Sequence, residues 1–140
     1  MINRANLDPL NPVAQMAVPI NLGTVSATAG DVAAFQLPFT ARLKRIDLYC
    51  SAVTGTTPTL AVTATGTISG ALGTTSNLTA AGHANLVTSE FDVATARGET
   101  IYLGVTAGGG TPDFSGVQAV LWFNLADTRD VAGTVQGTSY

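Results

Sequence analysis

Within residues 42–53 the chain alternates. Ile46, Leu48 and Cys50 are apolar, and Arg45, Asp47, Tyr49 and Ser51 between them are polar or amphipathic. A period of two sorts these residues onto the two faces of a strand; a helix repeats its faces every 3.6 residues. The same alternation runs through residues 59–65, with Leu60, Val62 and Ala64 inward, and through 100–106, with Ile101, Leu103 and Val105. Residues 117–125 put Val117, Ala119, Leu121, Phe123 and Leu125 on one side and Gln118, Val120, Trp122 and Asn124 on the other. A strand with apolar residues on both sides is central in its sheet or meets a neighbouring subunit.

Weaker patterns predict further strands over 18–25, 32–39 and 86–93, with a short one around Ile68 and Leu72. Gly55 to Pro58, the segment around Gly98, and Gly108-Gly109-Gly110 with Pro112 read as turns, the last as an exposed loop. Seven or eight strands at spacings near ten residues, with no helical period, predict an all-β fold: a β-sandwich or jelly roll. Prolines at 9, 12 and 19 break helix and favour extended backbone. Residues 1–17 are therefore expected to form an extended N-terminal arm, 18–125 the sandwich domain, and 126–140 a flexible C-terminal tail.

Composition narrows the function. Only 11% of residues are charged, against about 25% in an ordinary soluble domain. Six basic and nine acidic residues leave a net charge of -3. No basic face is available to replace the counterions of a nucleic acid, so no nucleic-acid partner is expected. The longest unbroken apolar run, 119–123, is far short of the ~20 residues of a membrane helix, so no membrane partner is expected either. One cysteine excludes a disulfide framework. Prolines and Asp8 interrupt any apolar leader near Met1, so no secretory signal is expected. Threonine and alanine are the commonest residues. Their surfaces are wettable yet carry little repulsion toward a copy of themselves, which suits a chain that packs against neighbours. Threonine is also simply a good strand former.

The residues that could carry chemistry do not assemble into a motif. His83 is the single histidine, and zinc sites need three or four protein ligands. No Gly-x-Ser-x-Gly stretch occurs. Cys50 lies on an apolar strand face and reads as an inert buried thiol. Glu90 and Asp92 share a strand face and could form a carboxylate pair for glycoside hydrolysis, though a solvated face explains them as well. Asp113 lacks the oxygen-rich neighbours of a calcium loop. Asn77-Leu78-Thr79 matches a glycosylation sequon, which means nothing without a secretory route. No enzymatic activity, metal or cofactor is expected. Arg42, Lys44 and Arg45 form the one basic cluster, either a local ion-pair site with Asp47 or a docking patch. Trp122 and Tyr102 lie within strands and read as core or interface anchors. Candidate interface residues are Pro9, Pro12, Arg42, Lys44, Arg45 and Trp122.

The stretch 23–53 joins Gly30-Asp31, Phe35-Gln36-Leu37-Pro38-Phe39 and Ala41-Arg42-Leu43-Lys44-Arg45-Ile46-Asp47. It resembles small structural proteins of tailed bacteriophage particles. The segment 99–123, a strand, a glycine-rich loop and a closing apolar strand, is similar in style, and the resemblance covers roughly residues 20–125. It implies a virion component, made in the host cytoplasm and placed on the capsid surface as a decoration (cement) protein. The implied partners are the major capsid protein and further copies of the chain, with a homotrimer favoured. The alternative is a tail, fibre or host glycan-binding module of a phage particle.

Overall fold

The computed structural model describes residues 14–125. These build seven strands: β1 (Gln15–Val25), β2 (Ala29–Gln36), β3 (Ala41–Tyr49), β4 (Ala52–Gly66), β5 (Gly70–Thr74), β6 (Val87–Thr95) and β7 (Thr100–Leu125). A single 3-10 turn, His83–Asn85, precedes β6. The fold is all-β, as the alternation predicts. The proline-broken segment with Pro9 and Pro12, and the tail from 126, lie outside the described residues. The strand β1 begins at Gln15, so residues 15–17, expected in the arm, belong to the sheet.

The organising element is β7, 26 residues long. Along one side run β1 and then β2; along the other run β3 and then β4, all antiparallel to it. Outside these, β6 pairs with β3 and β5 with β4. Two hydroxyls carry the ladder across the breaks. Between β1 and β2, Thr28 Oγ1 donates to the Ala107 carbonyl at 3.0 Å and accepts from the Ala107 N–H at 3.1 Å. Between β3 and β4, the Ser51 N–H and Oγ both donate to the Ser115 carbonyl, at 2.9 and 3.0 Å.

The long sheet folds over on itself. Phe35 is in register with Ile101, which shares β7 with Phe123. In a straight strand, Ile101 and Phe123 would stand about 70 Å apart at ~3.3 Å per residue. Yet the rings of Phe35 and Phe123 meet edge to face, centroids 6.2 Å apart. One half, β1·β7·β3·β6, therefore faces the other, β2·β7·β4·β5. Leu43, Ile46 and Leu48, Leu60 and Val62, Ile101 and Leu103, and Val117, Leu121 and Phe123 fill the space between them. The free edges of β5 and β6 approach each other, leaving a nearly closed barrel. Phe91 lies against Gly73, and the Ser76 N–H donates to Ser89 Oγ at 2.9 Å.

The bend occurs where glycine-rich turns were expected. Gly55-Thr56-Thr57-Pro58-Thr59 in β4 and Gly109-Gly110-Thr111-Pro112-Asp113 in β7 share the pattern Gly-x-Thr-Pro, and they lie antiparallel to each other. Gly55 and Gly109 have φ of 120° and 97°, and Thr57 and Thr111 both have φ of 46°. Register shifts mark bulges on both sides of Thr56. The segment 108–112 is thus a bulged strand and not a loop, and 55–58 is not a turn. Each supplies the other's strand partner, a non-local fact that glycine content cannot reveal. Bulges are the usual means by which a strand turns a corner between sheets.

A candidate interaction face on the outer sheet

The half-sheet β1·β7·β3·β6 turns an outer face away from the core. In β1, Met16, Val18 and Ile20 pack inward, and Gln15, Ala17, Pro19 and Asn21 are exposed. Their partners on β7 are Asn124, Trp122, Val120 and Gln118, in that order. In β3 a bulge decides the pattern. Leu43 pairs with Phe123 and Arg45 with Trp122, so Lys44 has no partner on β7. The extra residue shifts the alternation, with Ala41 and Leu43 inward before it and Ile46, Leu48 and Cys50 inward after it. Arg42, Lys44 and Arg45 consequently all project from the same face, which strict alternation would forbid. Four of the six candidate residues, Arg42, Lys44, Arg45 and Trp122, therefore stand together; the other two, Pro9 and Pro12, are outside the described residues.

Two polar clusters hold this face. In the first, Asp47 accepts from Trp122 Nε1–H at Oδ2 (2.9 Å) and from the Thr88 hydroxyl at Oδ1 (2.9 Å). The Arg45 guanidinium lies over the Trp122 ring, 4.6 Å from its centroid, with Nε 3.1 Å from Asp47 Oδ1. Nε is not aligned for a hydrogen bond there, so Arg45 is held by charge and by stacking on the indole. In the second cluster, Arg42 Nε and Lys44 Nζ converge on Asp92 Oδ1 at 2.7 and 3.2 Å. The Arg42 hydrogen bond, then that of Lys44, holds the Asp92 carboxyl below its usual range. Beyond Asp47, Tyr49 stacks on His83 with centroids 4.9 Å apart.

This arrangement removes Asp92 as the general acid of a Glu90–Asp92 pair. A general acid needs a raised pKa, whereas Asp92 is lowered by two cations. Each cation of the basic cluster already has a carboxylate beside it, so the face offers no bare positive patch for an acidic partner. Among the described residues, no group of three or more His, Cys, Asp or Glu side chains could hold a metal ion. Burial raises the Cys50 thiol above its usual pKa, which agrees with an inert role.

The opposite half-sheet differs in character. Its outer positions include Thr63, Thr65, Ala71, Thr74, Tyr102, Gly104, Thr106 and Ala34. None of these is charged, the one carboxylate of this face being Asp31 beside Gly104 on the edge strand, and the Thr63 and Thr74 hydroxyls bond to each other at 2.9 Å. Arg42, Lys44, Arg45, Asp47, Glu90 and Asp92 all sit on the first face instead. One buried charge escaped the sequence reading. Glu99 is 1% exposed and accepts from the Ser69 hydroxyl and the N–H groups of Ile68, Ser69 and Ala96. It clamps the β4–β5 turn to the β6–β7 turn. No local signal marks it, because the donors come mostly from a segment thirty residues away in the chain.

No protein-family model matches the chain, and no curated protein matches it. Solved structures with a similar course include VP2 of infectious bursal disease virus in a subviral particle. That match has 12% identity and a TM-score of 0.42, covering 79% of this chain and 33% of that one. A mutant VP2 of the same virus, in T=1 particles, matches at 12% identity and a TM-score of 0.37, covering 86% of this chain and 36% of that one. A structure of the Gx strain of infectious bursal disease virus matches at 12% identity and a TM-score of 0.37, covering 81% of this chain and 38% of that one. The chain thus spans about a third of the length of these capsid proteins.

Proposed function

We propose that the chain is a non-enzymatic structural component of a virus particle. In the finer reading it is a capsid decoration protein that binds the outer head surface where major capsid subunits meet. The observation that carries this is the segregation of charge. The exposed face of β2, β4, β5 and β7 is mostly threonine, alanine and glycine with Tyr102 and Gln36, and Asp31 stands on its edge strand. Such a face loses little desolvation energy when another protein covers it, because its one ion, Asp31, lies on the edge strand where water still reaches it. It also gives little charge repulsion against repeated neighbours. The resemblance of residues 20–125 to phage structural proteins points the same way.

Mechanistically, burying this face across a joint would oppose separation of the joined subunits. Gross stabilisation of about 25 cal/mol per Å² is largely offset by lost freedom on binding, so the effect depends on many copies. The test is co-sedimentation of the purified full chain with expanded heads that lack it. Saturable binding at micromolar concentration supports the reading, and absence of binding counts against it.

A further inference from the structure

The first face carries a pattern that reads the same in both directions. Along β1 the outward residues are Gln15, Ala17, Pro19 and Asn21: amide, apolar, apolar, amide. Along β7, in register beside them, are Asn124, Trp122, Val120 and Gln118: again amide, apolar, apolar, amide. Along β3 the corresponding residues are Arg42, Arg45, Asp47 and Tyr49, so a cation precedes a carboxylate about the same midpoint. That midpoint lies between the level of Trp122 and the level of Val120.

We propose that a second copy of this chain docks on this face, with the two-fold axis lying across the strands at that midpoint. Rotation about such an axis reverses strand direction and sets each residue over its mirror position. Trp122 meets Val120 of the second copy, and Ala17 meets Pro19. Gln15 meets Asn21, and Asn124 meets Gln118, so amides face amides. Arg45 meets Asp47, and Arg42 meets the Tyr49 ring. Apolar groups lie at the centre and hydrogen-bonding groups toward the ends, the layout of a specific interface. An isologous contact requires this self-complementarity of one patch. The area suffices as well. Four strands at ~4.8 Å and about nine residues at ~3.3 Å give roughly 570 Å² in projection, the order of the ~800 Å² per partner that a stable complex buries. Edge-to-edge pairing through β1 is disfavoured. Ala14 accepts from the Leu125 N–H, which by strand alternation turns the backbone of Pro19 outward, and proline has no N–H to donate.

This inference deepens the structural reading above: it names one partner, another copy, and leaves the neutral face for the shell. The test is sedimentation equilibrium of the full chain over a range of concentrations. The expected species is a dimer of twice the 14.2 kDa chain mass. Ala17→Arg should weaken association at least tenfold, whereas Thr65→Arg on the opposite face should leave it unchanged. Cooperative urea unfolding of both variants would show that each still folds, with the Ala17→Arg midpoint lower only by the lost association. A second measurement is chemical bridging of Ala17→Cys by a short bis-maleimide, in a Cys50→Ala background. Bridged dimers are expected there and not for Thr65→Cys. A monomer at all concentrations, a trimer, or dissociation by Thr65→Arg alone would overturn the inference. Head binding by a monomeric Ala17→Arg variant would separate the two readings, since the shell contact uses the other face.

Discussion

Thr57 and Thr111 occupy the same left-handed conformation on two antiparallel strands, each two residues after a glycine that the other strand's carbonyls press upon. A Cβ on Gly55 would lie 2.8 Å from the carbonyl oxygens of Gly110 and Thr111; one on Gly109 would lie 2.5 Å from that of Thr57. A local two-fold relation thus builds the corner over which the sheet folds.

The corner makes opposite predictions for neighbouring residues. Gly55→Ala and Gly109→Ala should each destabilise by about 2 kcal/mol or more, from positive φ together with overlap. Thr57→Gly and Thr111→Gly should be neutral or stabilising, because a β-branched residue at positive φ costs about 1 kcal/mol or more. Urea unfolding of the four variants measures this.

The joint at Thr28 is local. Thr28→Val keeps the shape and removes the hydroxyl that serves both polar groups of Ala107. Hydrogen exchange at the Ala107 amide should speed up, with about 1 kcal/mol lost in global stability. Unchanged exchange would mean that water replaces the hydroxyl without loss.

Much of the sheet could be read from alternation, because Ile46, Leu48 and Cys50 or Ile101, Leu103 and Val105 keep strict period two where both neighbours are regular. The bulge at Lys44 could not, since it arises from a register fixed by β7. The single long strand was hidden for the same reason: Gly108-Gly109-Gly110 looks like a loop unless the matching Gly55 segment is known to lie beside it. Of the candidate site, the Arg45–Asp47 pairing was legible from spacing on one strand. The placement of Trp122 beside Arg45, and of Asp92 beside Arg42 and Lys44, depends on strand order.

Glu99 sets an acid limit. Burial works to raise its pKa, but the Ser69 hydroxyl and the N–H groups of Ala96, Ser69 and Ile68 outweigh this and hold it below the usual 4.5. As pH falls through 4.5, the unfolded chain takes up a proton that the folded chain refuses. Stability is therefore full above that pH and is lost as pH falls toward the lower, folded value. The lowered pKa of Asp92 acts in the same direction. Glu99→Gln should lower stability by about 2 kcal/mol at neutral pH and flatten the loss in acid. Urea midpoints between about pH 6 and pH 3 show both effects.

The Asp47 carboxylate is the hub of the aromatic cluster. Asp47→Ala leaves Trp122 Nε1 and the Thr88 hydroxyl without their acceptor. A stability loss of about 1–3 kcal/mol is expected, with a shift in the emission of Trp122, the only tryptophan. Glu90→Ala, which removes no such bond, should change neither.

The most direct measurement is cryo-electron imaging of expanded heads incubated with the full chain. The expected image shows copies at regular positions over the joints of the shell lattice, with the face of β2, β4, β5 and β7 against the capsid. Heads without added density, or copies bound with that face open to solvent, would contradict the proposed role.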